Sequence, residues 1–221
     1  MQQSFWLERW QHNQIGFHDN DINSHVKQNW SSLALPENSQ VFVPFCGKTN
    51  DLLWLREQGH QIMAVELSRI AVESFFSENQ LLFKRDQVGE FELFETEGIQ
   101  IYCGDFFKLS PDMFSDVVAV YDRASLIALP PEMREYYAAK MHDLLPFHTV
   151  ILLVALYYPQ HEMQGPPFSV GITEVNNLFA NWCGVEHLYI EDITDKEPHF
   201  KAKGLSQIHE EVYRITIKNR D

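Results

Sequence analysis

Residues 40–68 constrain this chain more than any other stretch. An apolar run, Val41-Phe42-Val43-Pro44-Phe45, breaks at Cys46-Gly47-Lys48-Thr49-Asn50-Asp51 and is followed by a second strand pattern ending at Glu66. The order reads as strand, tight turn, helix and strand, with an acid at the tip of the second strand. Such a unit favours an adenosine-containing ligand: the turn brings backbone N–H groups and a helix start close to it, and a carboxylate accepts from both ribose hydroxyls.

Beyond this unit the same alternation continues, the mark of an α/β fold with a parallel sheet covered by helices. The first strand is expected over 41–45, a helix over 50–58 stopped by Gly59, and the second strand over 61–66, with Ser68 capping a helix through 77. Phe91-Glu92-Leu93-Phe94-Glu95-Thr96 alternates and meets the turn Glu97-Gly98, predicting a hairpin into a strand over 99–103. A β-branched strand over 116–121 ends in Asp122-Arg123, a helix follows Pro130-Pro131, and 148–156 reads as a buried strand. A helix over 170–182 and an antiparallel pair, 185–190 with 210–217, complete the pattern. Ahead of the core, residues 4–35 form an extension in which Trp6 and Trp10 share a helix face, Phe17-His18-Asp19-Asn20 is a loop, and 23–33 is a second helix.

The size of 221 residues suits one domain. We expect a single unit over 1–221, with residues 1–35 as a lid or extension and 40–221 as the core. A formal net charge of -14 argues against nucleic acid, whose phosphates need clustered Lys and Arg. No span reaches the ~20 apolar residues of a bilayer helix, and the amino terminus lacks a basic region followed by an apolar one, so a membrane or secreted location is not expected. Cys46, Cys103 and Cys183 fit neither a disulfide framework nor a metal site, and read as reduced thiols of a cytoplasmic protein with no metal.

The residues to weigh lie at the carboxyl ends of the strands, where doubly wound sheets bind ligands: Phe45-Cys46-Gly47, Glu66, Gly104-Asp105-Phe106 and Asp122-Arg123. Gly47-Lys48-Thr49 is not a phosphate loop, because that motif needs a glycine where Phe42 stands. The G-x-G-x-x-G dinucleotide pattern is absent too, which disfavours a nicotinamide enzyme. A ligand with adenosine but no phosphate fits better, and S-adenosylmethionine is one.

Six separated blocks carry a resemblance over nearly the whole length: Phe5-Trp6-Leu7-Glu8-Arg9-Trp10, Ile15-Gly16-Phe17-His18, Val43-Pro44-Phe45-Cys46-Gly47-Lys48, Ala64-Val65-Glu66-Leu67-Ser68, Tyr121-Asp122-Arg123-Ala124 and Gly165-Pro166-Pro167-Phe168. In these the chain resembles the bacterial thiopurine S-methyltransferases. The resemblance implies a class I methyltransferase fold, a Rossmann-like three-layer sandwich with a mostly parallel seven-stranded sheet and an antiparallel closing strand. It also implies S-adenosylmethionine as donor, S-adenosylhomocysteine as product, and a small thiol, selenium or tellurium acceptor, in a monomer serving detoxification. Residue by residue, it makes Trp6 and Trp10 part of a lid over the donor, Phe45 the turn contact, Glu66 the ribose acceptor, and Asp105 and Phe106 the flanks of the adenine. Arg123 would sit between donor and acceptor and Phe17 at the acceptor. Two departures stand out: position 45 is commonly Leu, and a basic acceptor-side position falls at His199 or Lys201.

Plainer roles compete with these. Two Trp at helical spacing also serve as core, Asp122-Arg123 also reads as a strand-end ion pair, and His18 and His142 read as satisfied or surface groups. The reaction expected is direct displacement without a covalent enzyme intermediate, with Arg123 stabilising the thiolate and Asp122 accepting a proton where one must leave. The competing class is a non-catalytic protein that senses S-adenosylmethionine or another nucleoside.

Overall fold

The computed structural model describes residues 3–218, which divide into two compact units, one through Tyr121 and one from Asp122 on. The first opens with α1 (Gln3–Gln11) and α2 (Ser24–Asn29). Asn23 starts α2 by accepting the His25 and Val26 N–H groups on its side chain, and a 3-10 turn, Trp30–Leu33, carries the helix on. The helix expected over 23–33 is thus two short pieces ended by left-handed Ala34.

Six strands follow in spatial order β3-β4-β5-β2-β1-β6. The central β1 (Gln40–Val43) pairs in parallel with β2 (Gln61–Glu66) and with β6 (Val117–Arg123). Between them run α3 (Asp51–Glu57) and α4 (Arg69–Glu78), the latter capped by the Ser68 hydroxyl on the Ala71 N–H. Strand β1 stops two residues short of the expected Phe45 because Pro44 has no N–H for the ladder and Phe45 turns left-handed at φ +46°. The outer strands β3 (Lys84–Val88), β4 (Phe91–Thr96) and β5 (Ile99–Cys103) form an antiparallel meander, and β5 returns to parallel pairing with β2.

The core of this unit is aromatic. Phe42 lies 4.8 Å from Phe114 and 6.4 Å from Phe106, while Phe75 and Phe76 on the inner face of α4 are fully buried. Each such ring contributes roughly 1.5–3 kcal/mol of burial. Because the chain moves from β1 outward to β2 and β5 on one side and then crosses back from β5 to β6 on the other, β1 is the switch point, and the crevice at its carboxyl end is where such sheets take ligands.

Strand β6 carries Asp122 and Arg123 into the second unit. There α5 (Ser125–Ala128) and α6 (Pro131–Leu144) precede β7 (Val150–Tyr157), and α7 (Ile172–Phe179), β8 (Cys183–Asp192), α8 (Pro198–Ala202) and β9 (His209–Ile217) complete it. β9 pairs antiparallel with both β7 and β8, as expected of the closing strands. Arg134 of α6 is 1% exposed and gathers this unit: it donates to the Leu126, Leu129 and Ser169 carbonyls and to Glu174 at 2.5 Å. Among the described residues nine strands stand where seven are expected, and the fully exposed β3 has no counterpart among the expected strands.

Candidate active site

The turn after β1 is built by backbone rather than by side chains. Phe45 and Gly47 both have positive φ, +46° and +54°, on either side of Cys46, whose N–H continues the ladder to the Val65 carbonyl at 3.0 Å. This reversal aims the Gly47 N–H at Glu66 Oε2, 2.8 Å away, and the Ser68 N–H donates to Oε1 at 2.8 Å. Glu66 is 6% exposed, and burial pushes its carboxyl upward against the pull of these amides. The Leu67 amide also bonds to this carboxyl, and of the roughly four acceptor sites of a carboxylate one remains for a ligand hydroxyl.

A cluster of aromatic rings reaches this turn through Trp10. Trp6 and Trp10 project from α1, and Phe17 meets both edge-on, with centroids 5.5 and 5.7 Å apart. A Cβ on Gly47 would stand 3.3 Å from the Trp10 ring, so only glycine allows this approach without displacement. Trp10 is buried, Trp6 half-buried and Phe17 43% exposed. The structure therefore brings Trp6, Trp10, Phe17, Gly47 and Glu66 together.

At the end of β5, Asp105 caps a 3-10 turn through the Phe107 N–H and accepts from the Gln3 side-chain amide on Oδ2 at 2.7 Å. Gln3, at the start of α1, has no motif that points to it in the sequence. Phe106 is 2% exposed and its side chain belongs to the core, 5.1 Å from the Phe45 ring and in contact with Phe42.

In the second unit Asp122 is 1% exposed, and the Tyr137 hydroxyl donates to its Oδ2 at 2.6 Å. Burial raises its carboxyl to about 6, partly offset by Tyr137 and Ser125. Arg123 is half-buried at the strand end, and the next residue, Ala124, turns left-handed at φ +67° to start α5. His199 pairs with Glu197 at 3.0 Å and Lys201 with Asp195 at 3.2 Å, both on exposed α8.

Burial shifts three further groups near the turn toward their neutral forms. Burial, then Glu66, raises the Cys46 thiol well above its ordinary range and Cys103 to about 12, so neither offers a thiolate. His18 is lowered by burial, then by Lys48, and is held by Asn20 at 3.1 Å. Among the described residues no group of acids, histidines and cysteines could hold a metal ion, and no helix is long and apolar enough to cross a membrane.

The fold is that of the S-adenosylmethionine-dependent methyltransferases. A Methanosarcina mazei member superposes with a TM-score of 0.64 at 12% identity, covering 90% of this chain and 100% of that one. The Burkholderia thailandensis 1,6-didemethyltoxoflavin-N1-methyltransferase, solved with that compound and S-adenosylhomocysteine, gives 0.65 at 14%, covering 98% and 87%. Within that class, the thiopurine S-methyltransferase family model matches residues 1–218, and the chain belongs to this family. The thiopurine S-methyltransferase of Pseudomonas fluorescens (strain Pf0-1) is 44% identical over 97% of this chain and 99% of its own length. That of Nitrosospira multiformis is 43% identical over 99% of each.

Proposed function

We propose that this chain, an enzyme of the thiopurine S-methyltransferase family, transfers the methyl group of S-adenosylmethionine to the sulfur of small thiols such as thiopurines. Selenium and tellurium compounds are further acceptors, and the reaction serves detoxification in a cytoplasmic monomer. The observation that carries the reading is the Trp6, Phe17 and Trp10 cluster reaching, through Trp10, a glycine turn whose amide is pinned to buried Glu66. Aromatic faces attract a sulfonium, and the carboxylate suits a ribose hydroxyl. Three free cysteines support a reducing compartment.

When bound, S-adenosylmethionine supplies an electrophilic methyl on a positively charged sulfur. The chain's part is to hold and orient. Glu66 takes a ribose hydroxyl, Asp105 and the main chain at Phe106 bound the adenine, the Phe45 turn receives the amino-acid arm, and Trp6 and Trp10 close over it and exclude water. Phe17 faces the acceptor ring. Arg123 stabilises the negative charge of the acceptor sulfur, directly or through water. Asp122, raised to about 6, is mostly ionised at neutral pH and takes a proton where the acceptor still carries one. Orientation of this kind is worth up to roughly 7–11 kcal/mol of the barrier.

The test is incubation with methyl-labelled donor and a panel of aromatic thiols and chalcogen oxyanions. Release of S-adenosylhomocysteine with labelled thioether is expected. Saturable donor binding without turnover on any member would replace the reading with that of a nucleoside sensor.

A further inference from the structure

Asp51 opens α3 with its side chain 0% exposed, and its two carboxylate oxygens serve two distant segments. Oδ1 accepts the backbone N–H of Asn23 at 2.9 Å, and Oδ2 accepts the hydroxyl of Tyr121 at 3.0 Å. Asn23 belongs to the amino-terminal extension, where its side chain already caps α2 through His25 and Val26. Tyr121 is the β6 residue immediately before Asp122-Arg123, and Trp30, also of the extension, packs edge-on against it at 6.3 Å. A second strap runs beside the first, from the Asn50 side-chain amide to the Asn20 carbonyl at 2.8 Å.

We infer that Asp51 is a positioning residue that sets the register between the extension bearing Phe17 and the end of β6 leading to Arg123, and thereby tunes use of the methyl acceptor. This rests on the reading of those two residues as acceptor-side groups. Asp51 itself touches neither reactant. A buried carboxylate costs desolvation that an apolar residue would avoid, and fold stability alone does not call for one oxygen per segment. The donor-side groups Glu66 and Asp105 lie on other strand ends, so acceptor use should respond before donor affinity does.

Three variants test this. Tyr121→Phe removes one hydroxyl at nearly constant volume, and Asp51→Ala removes both bonds. Asp51→Asn keeps both, with its carbonyl toward Asn23 and its amide donating to the Tyr121 oxygen. Expected for Tyr121→Phe is a rise in acceptor KM of roughly fivefold, the size of one lost hydrogen bond, with S-adenosylhomocysteine affinity unchanged within about twofold. Asp51→Ala should lose more, and Asp51→Asn should restore acceptor KM. Amide exchange over residues 24–33 should speed up in the first two variants and return to wild type in Asp51→Asn. Equal loss in Asp51→Asn and Asp51→Ala, or donor affinity falling in step with acceptor use, would overturn the inference. If the wild type turns over no acceptor, the reading of function fails first, and exchange alone decides whether Asp51 ties the two segments; unchanged exchange in Asp51→Ala sinks the tie as well.

Discussion

Two buried acids close two strands of this molecule, and they are held by different sets of partners. Glu66, at the end of β2, is bound by the backbone amides of Gly47 and Ser68, which can only donate. Asp122, near the end of β6, is bound by the Tyr137 and Ser125 hydroxyls, which can donate or accept, as well as by the Ser125 amide. Amide donors favour the carboxylate and fix its place, so Glu66 is suited to holding a ligand. Two of the three groups on Asp122 are hydroxyls, which tolerate either protonation state, and burial raises it to about 6, so it is suited to moving a proton. The lesson is that burial alone does not assign a role to an acid; the chemistry of its partners does.

The comparison breaks most visibly at Glu66. Glu66→Ala leaves the Gly47 and Ser68 amides without acceptors, at about 1–3 kcal/mol each, and should lower both unfolding free energy and donor affinity. Glu66→Gln should also fail, since its NH2 must face one of the two N–H groups. If denaturation and donor titration of Glu66→Gln match wild type, the amides do not define the site.

Asp122→Asn tests the other half. A carboxyl raised from 3.8 to about 6 by folding supports the native state most fully below pH 4 and loses that support as pH rises through 6. Wild type should therefore lose stability relative to Asp122→Asn between pH 4 and 7, by up to about 3 kcal/mol. A flat difference in urea midpoints across that range would contradict the raised value.

Smaller effects sharpen the picture. Arg123→Ala should lower turnover about ten- to a hundredfold while leaving donor affinity nearly intact, seen by comparing kcat with product-binding titrations. Normal turnover would remove Arg123 from the reaction. Gly47→Ala should cost about 1–2 kcal/mol for its left-handed φ. It should also shift the Trp10 fluorescence, because the new Cβ meets that ring.

Much of this was legible in the residues because the strands at the centre are apolar and end abruptly. The bounds of β2, the hairpin β4–β5 and the helix after Pro130-Pro131 follow from run, turn and cap alone. β3 escaped because Lys84-Arg85-Asp86-Gln87-Val88 is exposed throughout and meets β4 through backbone and an Arg85–Glu92 ion pair, leaving no apolar pattern. α5 escaped because it has four residues and starts from a left-handed alanine. On the site side, an acid at a strand tip announces Glu66, whereas nothing local marks Asp51 or Arg134 as buried. Their burial depends on partners 70 and 40 residues away, Tyr121 and Glu174, and charged residues are ordinarily exposed. Gln3 escaped for the same reason, its partner Asp105 lying 102 residues on.

The left-handed turn at Phe45 and Gly47 has a consequence for how such a site varies. Its amide is aimed by torsion angles, so the information resides in the main chain and the ring at 45 serves as filler against Phe106. Exchanges of size at that position, Phe for Leu among them, leave the instruction intact. A proline at 47, whose nitrogen has no hydrogen to give Glu66, would erase it.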